Sequence, residues 1–113
     1  MQTEQRIEFI KYVDSIIEAT QNGTMIWEVI NPSTFVWKKT PSLHTRIILQ
    51  RLSASPKAYT FQGIDSNNTA QINESSVVPA DVGVALDSLF LAIRKKLDQK
   101  GLDFLKSVLP PTN

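Results

Sequence analysis

A single histidine, His44, is the side chain of this sequence best suited to act as a general base near neutral pH. Ser42 stands two residues before it, in the segment Pro41-Ser42-Leu43-His44-Thr45. Residues at i and i+2 of a loop seldom align for proton transfer, and the sequence has no cysteine and no second histidine. We therefore expect His44 to be an exposed loop residue, and the sequence predicts no catalytic residue.

Three carboxylates, Asp14, Glu18 and Glu28, are the best candidates for metal binding or acid–base chemistry. Asp14 and Glu18 are one turn apart on the polar face of a predicted helix. A metal site or a tuned acid needs more convergence, such as a neighbouring histidine or an apolar setting. The four glycines are isolated and form no phosphate-binding loop pattern. The sequence therefore predicts no metal site and no cofactor.

Aromatic and basic side chains are interleaved between residues 37 and 61, a combination that single-stranded nucleic-acid binders use. Tyr59 and Phe61 alternate with polar residues, however, which is typical of aromatics that face a core. Arg46 and Arg51 fall on opposite faces of a strand by parity. Because tryptophan is enriched at protein interfaces, this region also predicts an interface. Its candidate residues are Trp37, Lys38, Lys39, Arg46 and Arg51.

A candidate basic patch lies near the C-terminus, formed by Arg94, Lys95, Lys96 and Lys100. These cations could contact phosphate or an acidic partner. They also suit the negative end of a helix. They complement residues 1–30, where five acids stand against two bases, so two adjacent helices would also explain the pattern.

The spacing of apolar residues predicts the elements that must position these side chains. The period is helical near the start, alternates between Met25 and Ile72, and is helical again from Val82. The strand-like segments are 24–30, 45–52, 58–64 and 69–74, while 34–39 is left open. Gly101 is expected to end or kink the last long helix. The predicted class is α+β: an N-terminal helix, a three- to four-stranded antiparallel meander, a C-terminal helix and a short terminal helix, in a two-layer sandwich.

Composition limits the class of protein. The 113 residues fit one domain, 1–113, and 42% are hydrophobic, which allows a real core. The absence of cysteine excludes disulfides and thiol chemistry. There is no apolar run of about 18 residues and no apolar signal core, so we expect a cytoplasmic protein that does not cross a membrane. A net charge of +1 argues against a strongly electrostatic partner.

The apolar content of both faces in strands 24–30 and 45–52 gives the functional prediction. A sheet with one wet face should alternate more cleanly. Part of the C-terminal helix or a second copy of the chain should therefore cover the other face. The sequence favours a non-enzymatic module for self-association, as a homodimer, or for binding another protein. The alternatives are nucleic-acid binding through residues 38–57 and the run 94–100, or a small-ligand pocket lined by Trp27, Phe35, Tyr59 and Phe90.

Overall fold

Two helices pack on one face of a five-stranded sheet in the computed structural model, which describes residues 1–40 and 43–111. Each strand pairs antiparallel with the next, so the order across the sheet is the order along the chain. The α+β class is confirmed, but the predicted count of three to four strands is wrong. The elements are α1 (Thr3–Gln21), β1 (Glu28–Asn31), β2 (Thr34–Thr40), β3 (Leu43–Ala54), β4 (Lys57–Ile64), β5 (Ala70–Val77) and α2 (Asp81–Val108).

The segment that the sequence left open, 34–39, is a full strand of the sheet. In β2, Phe35 lies opposite Leu49 and Trp37 lies opposite Ile47 of β3. The same strand also pairs with β1. Its β-branched and aromatic side chains suit a strand that is hydrogen-bonded on both edges.

The first strand is shorter than predicted, because residues 24–27 fold against the end of α1. The Asn22 side chain accepts a hydrogen bond from the backbone of Thr24 at 2.9 Å. The Met25 amide donates to the carbonyl of Ala19 at 3.0 Å, and the Trp27 indole donates to the Thr20 hydroxyl at 3.0 Å. Pairing with β2 can therefore begin only at Glu28.

The C-terminal helix is continuous, and the predicted break at Gly101 is wrong. α2 passes through Gly101 and ends at Val108, before Pro110. One glycine costs a helix only about 1 kcal/mol relative to alanine. The neighbouring Lys, Leu and Gln residues favour the helix, so it continues until proline, which cannot donate a backbone hydrogen bond, follows.

The core lies between the two helices and one face of the sheet. Phe35, Leu49 and Phe61 are neighbours across three strands, and all three are buried. The ring of Phe9 in α1 meets Phe61 edge-on at 5.4 Å between centroids. The ring of Phe90 in α2 lies 4.8 Å from Phe35. These contacts fix both helices on the same face.

The second face of the sheet carries mixed side chains. Val36, Ile48, Gln62 and Asn73 form one row across β2 to β5. Val36 is buried yet lies outside the core cluster, and Asn73 is exposed. The expectation that part of the C-terminal helix covers this face is wrong, because α2 packs its buried residues into the core on the other face.

Candidate interaction surface

The two helices run side by side in the same direction. At one end, the guanidinium Nε of Arg6 in α1 lies 3.0 Å from Asp81 Oδ2 at the start of α2. At the other end, Gln21, the last residue of α1, lines a shallow depression with Lys96 of α2. A helix rises 1.5 Å per residue. α2 therefore continues for about 18 Å past the end of α1.

This projecting part of α2, which we call the overhang and define as residues 98–109, is exposed throughout. The overhang contributes to the elongated shape of the molecule, whose longest dimension is 60 Å and whose shortest is 23 Å. Its five large apolar side chains are between 54% and 66% exposed. They are Leu102, Phe104, Leu105, Val108 and Leu109.

The apolar side chains of the overhang share one side of the helix. At about 100° per residue, they fall within roughly half of the circumference of the helix. Viewed down the helix axis, Gly101 lies near the middle of that half. Phe104 and Val108 continue the direction of Ile93 and Leu97, which face the core. The sheet buries the apolar face of α2 along the first part of the helix. In the overhang the same face continues but is exposed.

The other half of the overhang is polar, and the overhang as a whole is electrically balanced. Lys100, Asp103 and Lys106 lie on the polar half, whereas Asp98 lies within the apolar half, between the directions of Leu105 and Leu109. The Gln99 side chain donates a hydrogen bond to Asp103 Oδ1 at 2.9 Å, one turn away. This division into an apolar and a polar half is that of a helix with one buried side.

A cleft of about 340 Å³ opens where α1 stops and α2 continues. We call it the Trp27 cleft. Its floor and walls are formed mainly by apolar side chains of the α1–β1 connection and of α2, and its rim carries two lysines and one acid. The lining residues are Thr20, Gly23, Met25, Ile26, Trp27, Ile93, Lys96, Leu97, Gln99, Lys100 and Asp103.

The predicted interface residues do not share one surface. Trp37 packs against the core on the helix side, and the Arg51 guanidinium lies 5.1 Å from the centroid of the Phe90 ring. Lys38 and Arg46 face each other across β2 and β3, on the opposite face from Trp37. Lys38 Nζ lies 3.5 Å from Glu28 Oε2. Lys39 is exposed.

Arg46 is also held by neighbours in its own part of the sheet. Its guanidinium donates to the carbonyl of His44 at 2.8 Å and to Asn68 Oδ1 at 2.6 Å. The described bases of residues 38–57 therefore form no single cationic track. Nucleic-acid binding through them stays a prediction.

The predicted basic patch is distributed around α2. Arg94 donates to the carbonyl of Pro32 at 3.4 Å, in the β1–β2 turn. Lys96 and Lys100 line the Trp27 cleft, whereas Lys95 does not. The patch thus contributes two of its four cations to one concave site.

The residues considered for chemistry stand apart from one another. His44 is exposed, and Ser42 lies outside the described residues. Asp14 and Glu18 are exposed on α1, and Glu28 pairs with Lys38. Within residues 1–40 and 43–111, no group of three His, Asp or Glu side chains is placed to hold a metal ion.

The four aromatic residues predicted to line a ligand pocket are all buried in the core, and of these four only Trp27 also lines the Trp27 cleft. The rings of Phe35 and Tyr59 both pack against Phe90. The Tyr59 hydroxyl donates a hydrogen bond to Asp87. Burial, followed by this hydrogen bond and the charge of Asp87, raises the pKa of Tyr59.

The overhang was missed as a surface because the sequence shows only the helical spacing of residues 102–109. A comparison of predicted lengths could have indicated it. The two predicted C-terminal helical segments, taken together, are longer than the predicted first helix. Neither helix, in the part of the chain that is described, carries an apolar stretch able to cross a bilayer. Comparison with family models, curated proteins and solved structures finds no match for this chain.

Proposed function

We propose that the protein is a non-enzymatic, homodimeric interaction module of the cytoplasm, and that two copies associate through their overhangs. The observation that carries the proposal is the exposed apolar half of residues 98–109. Each fully buried Val or Leu side chain stabilises an assembly by roughly 1.5–3 kcal/mol. A helix side of this kind, left in water, favours association.

The area of the overhang is adequate for a weak dimer. Its five apolar side chains expose on the order of 100 Å² each, so a pair of overhangs would bury roughly 1,000 Å² in total. That is the lower end of specific interfaces. We therefore expect dissociation in the micromolar range rather than a permanent dimer.

The order of charges along the overhang favours a second copy in antiparallel orientation. Asp98 lies near the start of the overhang and Lys106 near its end. An antiparallel pair brings Asp98 of each copy towards Lys106 of the other, and it opposes the two helix dipoles favourably. A parallel pair would bring like charges together. Because the overhang is electrically balanced rather than basic, it suits a protein surface better than an anionic membrane.

Sedimentation equilibrium of the full chain tests the proposal. We expect a dimer mass at tens of micromolar and a monomer mass after sufficient dilution. The double variant Leu102→Gln/Leu105→Gln should stay monomeric, because it makes two of the five apolar side chains polar. Both side chains are exposed in one chain, so the monomer should remain folded. A wild-type mass equal to one chain at all concentrations would contradict the proposal.

The matched control changes two residues on the same helix that are also exposed. Val84→Gln/Leu91→Gln introduces the same chemistry at 47% and 54% exposure, outside the overhang. An antiparallel pair centred on the overhang leaves these positions uncovered. The control should dimerise like the wild type, and loss of dimer in both variants would place the interface elsewhere.

A charge swap tests the orientation. Asp98→Lys should weaken the dimer about three- to tenfold, since each exposed ion pair is worth roughly 0.2–1 kcal/mol and the dimer has two. Lys106→Asp should do the same. The double variant Asp98→Lys/Lys106→Asp restores opposite charges and should recover the affinity. Additive losses in the double variant would exclude the antiparallel arrangement.

A further inference from the structure

The Trp27 cleft presents an apolar interior below a cationic rim. Trp27 and Ile93 are buried at its floor, and Met25 and Leu97 are partly buried around them. Ile26, which is exposed, forms part of a wall. The volume of about 340 Å³ falls in the range of small-molecule sites.

The polar groups at the floor of the cleft satisfy each other. The Trp27 indole N–H donates to Thr20 Oγ1 at 3.0 Å, and the Thr20 hydroxyl donates to the carbonyl of Ile16 at 2.8 Å. A ligand group placed there finds no free hydrogen-bond donor among these atoms. A polar group would lose its water without compensation, so the inner part of a ligand must be apolar.

The rim of the cleft has the opposite character. Lys96 and Lys100 are one turn apart on α2, and both line the cleft. In the part of the chain that the structure describes, neither ammonium group takes part in an ion pair. Asp103, the acid on the rim, accepts a hydrogen bond from Gln99. The lysine stems can lie along the apolar wall while their charges remain in water.

From this arrangement we infer that the Trp27 cleft binds a soluble amphiphilic carboxylate, with its apolar chain against Ile26, Trp27 and Leu97 and its carboxylate between Lys96 and Lys100. Charge complementarity selects the anion, because a charge-assisted hydrogen bond is stronger than a neutral one. The site is formed within one chain and does not depend on the overhang dimer. Its lysines and the apolar half of the overhang occupy different sides of α2.

Titration of the full chain with decanoate, at concentrations where decanoate does not form micelles, tests this site. The readout is the fluorescence of Trp27 in a Trp37→Phe background, checked by calorimetry on the wild type. We expect saturable binding, at least about tenfold tighter than that of decan-1-ol, which has the same chain without the charge. Equal affinity for the alcohol, or no saturable binding of decanoate at millimolar concentration, would overturn the inference.

Matched lysine variants locate the carboxylate. Lys96→Gln/Lys100→Gln should weaken decanoate binding about tenfold and leave decan-1-ol binding unchanged. Lys11→Gln/Lys95→Gln removes the same charge from two exposed lysines outside the cleft, and it should change binding less than twofold. An equal loss of decanoate affinity in both variants would show that only the net charge of the protein matters, and would contradict the proposed site.

Two further variants locate the apolar chain. Ile26→Gln makes an exposed wall of the cleft polar and should weaken both decanoate and decan-1-ol. Leu102→Gln/Leu105→Gln should leave decanoate binding intact, because those side chains do not line the cleft. Loss of binding in the Leu102→Gln/Leu105→Gln variant would assign the ligand to the apolar half of the overhang and contradict the inference, whether or not the protein dimerises.

Discussion

The Tyr59 hydroxyl donates a hydrogen bond to the Asp87 carboxylate, and this contact joins β4 to α2 inside the folded chain. The Tyr59 ring is buried, and Lys57 Nζ lies 3.7 Å from Oδ2 of the same carboxylate. Desolvation of the phenol raises its pKa most, the bond to Asp87 and the charge of Asp87 raise it further, and Arg51 opposes them. The neutral phenol is therefore favoured in the folded state.

The first prediction is a loss of stability at alkaline pH. The pKa of Tyr59 in the folded state is raised above the unfolded value near 10. The contribution of Tyr59 to the free energy of unfolding is therefore complete below about pH 10 and is lost as the pH rises towards the folded pKa. One proton changes the free energy of unfolding by up to about 1.4 kcal/mol per pH unit. Urea denaturation between pH 8 and about pH 11 should show this slope for the wild type relative to Tyr59→Phe.

Tyr12→Phe is the control for that comparison. The Tyr12 hydroxyl donates to Glu8 on the surface of α1, and this bond raises its pKa without burial of the ring. The Tyr12→Phe variant should therefore keep the alkaline loss that Tyr59→Phe removes. The same slope in the wild type and in Tyr59→Phe would assign the loss to other groups.

The second prediction separates the two sides of α2. Leu89 is fully buried and Leu91, two residues later, is 54% exposed. Leu89→Ala should lower the free energy of unfolding by about 2–5 kcal/mol, because it leaves a cavity between helix and sheet. Leu91→Ala should change it by less than about 0.5 kcal/mol. Chemical denaturation measures both, and equal effects would mean that the helix is rotated from the position described.

The third prediction concerns two glycines of α2 that should respond with opposite signs. A Cβ atom at Gly83 would lie 2.6 Å from the carbonyl oxygen of Val77, so the β5–α2 connection would have to move. Gly83→Ala should therefore cost about 1–3 kcal/mol. At Gly101 a Cβ atom meets nothing within 4 Å, and Gly101→Ala should stabilise the helix by roughly 0.5–1 kcal/mol.

Thermal unfolding and far-ultraviolet circular dichroism of the two glycine variants check this pair. Gly101→Ala should raise helicity without lowering the midpoint, whereas Gly83→Ala should lower the midpoint. A destabilised Gly101→Ala variant would mean that the helix is interrupted there, as the sequence alone suggested.

The fourth prediction concerns the dynamics of the overhang. A helix end without tertiary contacts frays, so its amide hydrogens exchange quickly in a dilute monomer. We expect slow exchange for residues 102–108 only at concentrations where the dimer forms. Leu102→Gln/Leu105→Gln should keep these amides fast at every concentration. Concentration-independent protection of the wild-type amides would contradict the dimer and indicate a contact within one chain.

The face on which a strand residue lies could be predicted wherever side chains alternate without interruption. Parity alone places Tyr59 and Phe61 on the core face of their strand and separates Arg46 from Arg51, as observed. Parity does not show where the pairing of a strand is interrupted. The register shifts between Arg51 and Ser53, and Leu52 is exposed at that irregularity.

The ends of the elements and the candidate sites could not be predicted, because they depend on contacts between distant residues. The bond from Trp27 to Thr20 shortens β1, and no local pattern indicates it. The Trp27 cleft and the overhang both arise because α1 stops at Gln21 while its neighbour α2 continues. A periodicity shows that a helix has an apolar side, but it does not show whether a neighbour is there to cover it.

The ion pair between Arg6 and Asp81 joins groups that are 75 residues apart, whereas every strand pairs with the next along the chain. The entropy lost on closing a loop grows with its length, so hairpin contacts can form before this one. We therefore expect the meander and α2 to assemble first in folding and α1 to dock late. Mutational φ-values should then be low at Val13 in α1 and higher at Leu49, and the reverse order would show that α1 nucleates the fold.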